Sequence, residues 1–119
     1  RFIAGPSQRS TLISHVTQNL TEAGETIALT IKHALEIGAN EVETTLQAEQ
    51  DWVALIEQQP ERGMMGNAEC TPGYYNNEGH PLDRRQMRGA LGYPAGPVAY
   101  WEYIDRWRDS GDFVGVEFR

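Results

Sequence analysis

A chain of 119 residues has room for one small domain, able to bury roughly two-thirds of the surface its unfolded form exposes. A formal charge of −7 and a pI near 4.8 set up a field that repels phosphate backbones and anionic lipid surfaces, so nucleic acid and membrane are excluded as expected partners. The hydrophobic share of 39% is modest, yet three Trp and five Tyr predict a packed rather than a disordered chain. No apolar run approaches the roughly 20 residues that cross a bilayer, and Arg1-Phe2-Ile3-Ala4-Gly5-Pro6 is no secretion signal. Cys70 stands alone, which excludes an intrachain disulfide and fits a reducing cytoplasm. The opening on Arg, running straight into Phe2 and Ile3, is the pattern expected of a cut polypeptide or of an incomplete sequence.

In chain order, Phe2-Ile3-Ala4 before Gly5-Pro6-Ser7 predicts the end of a short strand and a turn. Apolar residues then recur in steps of three and four through Leu20, Ala23, Ile27, Ile31 and Ala34, with Leu35 widening the stripe, which predicts an amphipathic helix. Asn19 with Glu22 resembles a capping-box start, and Gly38 supplies the left-handed residue that ends helices. Gly24 costs about 1 kcal/mol against Ala, which suggests a close approach of another backbone. Val42 to Leu46 reads as a brief extended segment, and Thr44 with Gln47 as the start of a second helix carrying Ala48, Trp52, Leu55 and Ile56 up to Pro60.

From Glu61 to Gly96 periodicity gives way to Gly, Pro and Asn, over a stretch of about 35 residues where compact domains use loops of about 4–6. Tyr74-Tyr75 and Met64-Met65 suit a loop held against a surface better than a solvated one. Pro97 opens a third helix with Val98, Trp101, Ile104 and Trp107 on its apolar face and Glu102, Asp105, Arg106 and Asp109 in solvent, and Gly111 closes it. Phe113 to Phe118 has the β-branched and aromatic character of a terminal strand.

The residue types exclude several chemistries. There is no phosphate-binding loop motif, no H-E-x-x-H and no paired C-x-x-C, and the glycines from Gly89 to Gly96 lack G-x-G-x-x-G spacing. His15, His33 and His80 are too far apart to form a helical metal pair. Glu41 with Glu43, and Glu49 with Asp51, read as solvated faces, because nothing adjacent would bury one carboxyl and raise its pKa. Arg84, Arg85 and Arg88 could grip a single phosphate, or form a solvated loop. Cys70 has no His-Asn or His-Asp setting and reads as a packed thiol. The Cys70 to Gly79 segment, rich in turn-forming and hydrogen-bonding residues, reads equally as a lid over a ligand or as a rigid surface loop.

Taken in order, Phe2-Ile3-Ala4-Gly5-Pro6-Ser7, Ala48-Glu49-Gln50-Asp51-Trp52-Val53, Cys70 to Gly79, Tyr103-Ile104-Asp105-Arg106-Trp107-Arg108 and Gly115-Val116-Glu117-Phe118 resemble the C-terminal portion of Baeyer–Villiger-type flavoprotein monooxygenases. The resemblance covers essentially the whole chain and corresponds to about the last fifth of such an enzyme. It implies a mixed, α-rich α/β fragment of a fold with two dinucleotide-binding domains, whose glycine-rich fingerprints lie upstream. Residues 1–60 would hold the end of an FAD-domain strand and helices, 61–96 a cofactor-covering loop, and 97–119 the terminal helix and strand. The implied reaction uses FAD, NADPH and O2 to convert a ketone to an ester or lactone, with the cofactor carrying the chemistry.

By the same resemblance, Thr11, Leu12, Ser14 and His15 would face flavin or substrate after the Gly5-Pro6 turn. Thr71 stands where the family often has a Trp holding the nicotinamide cofactor, a departure that leaves Tyr74, Asn76 or Asn77 to supply hydrogen bonds or stacking. The family's catalytic arginine lies upstream, so no catalytic residue is assigned here. The isolated chain is expected to bind no flavin and to be inactive, its partner being the remainder of the enzyme. The alternative is a stand-alone, non-catalytic module that binds a partner protein or, through unpaired end strands and aromatic faces, itself.

Overall fold

Twenty-two residues without a proline, Val16–Ile37, form the first helix, α1. The computed structural model describes residues 1–2, 15–58, 71–73, 78–80 and 92–119. Threonines at 21, 26 and 30 return their hydroxyls to the carbonyls of Thr17, Glu22 and Thr26, so these helix-neutral residues are satisfied within α1. Gly38 ends it at φ 74°, and the Gly38 and Ala39 N–H groups close a Schellman pair on Leu35 and Ala34. The start lies before the expected one: His15 is the N-cap, and Asn19 is buried, accepting a hydrogen bond from Trp101 Nε1 at 3.2 Å. Tertiary packing of Asn19 takes its side chain away from capping.

β1 (Val42–Thr44) leads directly into α2 (Leu46–Ile56). The N-cap of α2 is Thr45, one residue later than expected, its hydroxyl accepting from the Ala48 N–H at 3.2 Å. Thr44 is retained by the strand, opposite Val116. α3 (Pro97–Ser110) begins with Pro97 after Gly96 and ends at Gly111 with φ 66°, as the sequence predicts. Tyr100 is its buried residue, whereas Val98 is exposed and does not belong to the packed face.

β2 (Val116–Phe118) does not wait for an outside partner. It pairs antiparallel with β1, in the register Val42↔Phe118, Glu43↔Glu117 and Thr44↔Val116. Like-charged Glu43 and Glu117 face each other, a destabilising pair that Arg119 relieves by bonding Glu43 and lying 3.6 Å from Glu41. Glu41 and Glu43 are exposed, as the reading of a solvated face expects, and pair with Arg119 at the surface. Phe2 is outside any strand, and Ile3 and Ala4 lie outside the described residues, so the expected N-terminal strand is not among the described elements. The result is three helices and a two-stranded sheet among the described residues.

The turn into β2 fixes how α2 meets the sheet. Gly115 has φ 85°, its carbonyl accepts the Thr45 N–H at 2.9 Å, and a Cβ there would lie 2.8 Å from the Ala48 Cβ. Only glycine satisfies both the backbone and the contact. The buried apolar residues among those described are Ala23, Ala34, Ile56, Tyr100 and Phe113, a core in which small side chains and single aromatics replace layers of Leu and Val. No described helix is long and apolar enough to cross a membrane.

Candidate functional site

α3 distributes aromatic side chains on two sides. Trp52 of α2 meets Tyr93, Tyr100 and Tyr103 with ring centroids 5.9, 6.3 and 5.8 Å away, and Tyr93 stands 6.0 and 5.9 Å from Tyr100 and Tyr103. These separations lie in the favourable range for offset and tilted rings. A second cluster joins α1 to the terminal strand: His33 stacks on Phe113 at 4.2 Å, and Phe118 and Trp107 meet Phe113 edge-on at 5.3 and 5.5 Å. Phe113 holds its place at φ 48°, and Trp107 Nε1 donates to the Val114 carbonyl at 2.9 Å.

Between the clusters opens a cleft of about 680 Å³. Arg1 and Phe2, Thr26, Ile27 and Thr30 of α1, β1, Ala48 and Trp52 of α2, Tyr100, Tyr103, Ile104 and Trp107 of α3, and Val114 to Val116 form its walls. Its size and aromatic lining are those of ligand pockets and of surfaces that receive another protein segment. Glu43, the carboxylate in the lining, is bonded to Arg119. Apart from Arg1 and the paired Glu43, the walls offer rings, hydroxyls and aliphatic groups, which orient and enclose rather than transfer protons. Among the described residues, no three His, Cys, Asp or Glu side chains come together as a metal site.

Arg108 ties α3 to α1 across this region. Its Nη2 bonds the Glu22 carboxylate at 2.6 Å, and its Nη1 donates to the Glu22 carbonyl at 3.2 Å. Nη1 also reaches Glu25 at 3.3 Å and Thr26 Oγ1 at 3.5 Å, and Asp105 holds Nη2 from within α3. The Arg108 and Glu22 side chains are each only 13% exposed. Burial pulls the guanidinium pKa down, but the Glu22 and Asp105 hydrogen bonds and charges more than offset this, leaving it above the ordinary value. Sequence reading missed this group. The available signal was spacing: Arg108 lies seven residues after Trp101, two helical turns along one face, and Trp101 and Arg108 bond Asn19 and Glu22, three apart on α1.

His15 stands exposed at the start of α1, where its Nδ1 meets the Thr17 hydroxyl. It provides no side-chain cap, and the first turn holds no acidic residue, so neither the N-cap side chain nor the first turn neutralises the positive end of the helix. Thr71 is exposed in the short described piece 71–73. Beside it the Glu78 N–H donates to the Gly73 carbonyl at 3.0 Å, and Gly79 packs against Pro72, so the described pieces 71–73 and 78–80 lie against each other. Glu78 and Gly79 follow one another with φ 55° and 80°. Thr11, Leu12, Ser14, Tyr74, Asn76, Asn77, Cys70 and the arginines at 84, 85 and 88 lie outside the described residues.

No protein-family model matches the chain. It is 42% identical over 102 residues to the FAD-binding monooxygenase hmp7 of Hypomyces subiculosus, covering 85% of this chain and 16% of that protein. It is 34% identical over 88 residues to Baeyer-Villiger monooxygenase 4 of Dietzia sp., covering 74% of this chain and 14% of that protein. The fold is shared with the polycyclic ketone monooxygenase of Thermothelomyces thermophila, with a TM-score of 0.68 at 24% identity over 98% of this chain and 18% of that one. The chain thus spans less than a fifth of the length of each of these three proteins. By sequence along most of its length, and by fold along nearly all of it, this chain is related to Baeyer–Villiger-type flavoprotein monooxygenases and matches a C-terminal portion of one.

Proposed function

We propose that this chain is the C-terminal part of an FAD- and NADPH-dependent monooxygenase that inserts one oxygen atom from O2 into a ketone, giving an ester or lactone, and that it is inactive in isolation. The observation that carries the reading is the 42% identity to an FAD-binding monooxygenase, joined by a fold match over 98% of the chain. When bound, the flavin supplies the oxygen-activating chemistry. The chain's own residues fit an electron-rich partner at the start of α1. The first N–H groups of that helix have no side-chain cap from His15 and no acidic residue in the first turn, so they favour a carbonyl edge or an anion there. His15, at this position, and Thr11, Leu12 and Ser14 before it, would line flavin or substrate. Thr71, Tyr74 and Asn76 would lie on the side of the nicotinamide cofactor. The aromatic cleft would exclude water from whatever it encloses.

The reading is tested by supplying the longer protein with FAD, NADPH, O2 and a panel of cyclic ketones. Consumption of NADPH coupled to a product one oxygen heavier than the ketone supports it. A flavin-loaded protein that oxidises only sulfides or amines would replace the ketone by another acceptor. The 119-residue chain in the same assay is expected to form no product.

A further inference from the structure

The first turn of α1 is gripped from another element. Val16, Thr17 and Gln18 are exposed and the N-cap supplies no side-chain bond, so this helix end would fray without an outside hold. The first buried residue along α1 is Asn19, whose side chain accepts from Trp101 Nε1 and whose N–H donates to the His15 carbonyl, each at 3.2 Å. His15 is tied to the same turn a second time, through its Nδ1 and the Thr17 hydroxyl. Any movement of Asn19 is therefore passed on to His15. Farther along, α1 is more open: a Cβ at Gly24 would meet nothing within 4 Å, so the close approach expected there is not made among the described residues.

A bond at Asn19 alone would act as a pivot, and a second grip is needed to fix the helix axis. Arg108 supplies it one turn farther on, and it reaches backbone as well as side chain: Nη1 donates to the Glu22 carbonyl at 3.2 Å while Nη2 bonds the carboxylate. Trp101 and Arg108 lie about 10 Å apart along α3, and Asn19 and Glu22 about 4.5 Å apart along α1. The long arginine side chain spans the difference, and Asp105 aims its guanidinium from within α3. An apolar pair would bury as much surface yet let the helices slide, whereas directional polar bonds fix rotation and register.

We propose that Trp101 and Arg108 are positioning residues for the oxygen-insertion reaction: acting through Asn19 and Glu22, they set where the first turn of α1 presents His15 to flavin or substrate. The proposal rests on the functional reading above. Neither residue needs to touch the ligand. A displacement of about 1 Å in a reacting geometry costs about a hundredfold in rate, so bonds remote from the ligand can govern turnover.

The test uses the longer, flavin-loaded protein with Trp101→Phe, Arg108→Lys and, as a control of comparable stability loss, Thr45→Ala at the α2 cap. Amide hydrogen exchange reads the helix, and steady-state kinetics with a cyclic ketone reads the site. Trp101→Phe and Arg108→Lys should each speed exchange at Asn19 and Leu20 by about tenfold or more relative to residues 30–34. Flavin content and the KM for NADPH should stay unchanged while kcat/KM for the ketone falls about tenfold. Thr45→Ala should alter neither exchange at Asn19 nor the ketone values. The two α3 substitutions are independent, so Arg108→Lys decides if Trp101→Phe does not fold. Exchange at Asn19 and Leu20 that is unchanged, or faster evenly over α1, overturns the proposal, as does an equal ketone loss in Thr45→Ala. Locally faster exchange with unchanged ketone kinetics overturns it too and leaves the functional reading intact. An unaltered protein that turns over no ketone removes the functional reading, and this proposal with it.

Discussion

Replacing Arg108 by Ala removes the side chain that joins α3 to α1 through two contacts to Glu22, at 2.6 Å to the carboxylate and 3.2 Å to the carbonyl, and takes the partner from a Glu22 side chain that is 13% exposed in the intact pair. A hydrogen bond to a charged group contributes about 1.5–3 kcal/mol, and breaking a fully buried pair costs about 3–5 kcal/mol. Gln18 still donates to Glu22 at 2.6 Å and the site keeps some contact with water, so the expected loss is about 2–3 kcal/mol. Arg108→Lys keeps the charge but not the fork, and should cost about half as much. Urea unfolding followed by Trp fluorescence and far-ultraviolet circular dichroism reads both. A double-mutant cycle with Glu22→Gln should show about 1–2 kcal/mol of coupling. Because the folded-state pKa of Arg108 is raised, its contribution is complete below the unfolded value and is lost only as pH rises through the folded one. The Arg108→Ala penalty should therefore be flat from neutrality to about pH 10. A penalty under about 0.5 kcal/mol, or additive single mutants, would refute the account of how α3 is held.

Three further outcomes follow from particular contacts. Gly115→Ala should destabilise the fold by about 1–3 kcal/mol, since a left-handed φ and a 2.8 Å approach to Ala48 must both be relieved; unchanged denaturant midpoints would contradict this. Thr45→Ala should cost about 1 kcal/mol through loss of the α2 cap, with Thr44→Ala costing less, and equal effects would show that the cap is misplaced. In the longer protein, His15→Asp should weaken flavin retention, measured by ultrafiltration, by placing a negative charge at the start of α1 that competes with an electron-rich ligand. Unaltered retention would detach that helix end from the cofactor.

The elements that sequence reading located are those bounded by residues with one conformational use. Gly38, Gly111 and the Gly96-Pro97 step mark helix ends because left-handed φ and a missing N–H are local properties. Non-local choices were less legible. Thr44 and Thr45 are chemically identical, and only the ladder to Val116 assigns one to the strand and the other to the cap. Asn19 has the composition of a cap but is used by Trp101, which lies 82 residues away. The terminal strand was legible as a strand, yet its partner was not, because two three-residue segments carry too little pattern to specify pairing. Leu20, Ile31 and Leu35 looked like core by periodicity, and their exposure reflects a surface that α3 and the sheet do not cover. Of the candidate site, most of the 61–96 loop lies outside the described residues, and the Trp52–Tyr93–Tyr100–Tyr103 cluster depends on bringing α2 and α3 together.

The central claim is that this chain works as part of a larger flavin enzyme. Intact mass spectrometry of the protein made from its native gene, paired with a visible absorption spectrum of the same sample, tests it most directly. The account predicts a polypeptide several times longer than 119 residues with the absorption bands of bound flavin. A stable, colourless product of this chain's own size would contradict it.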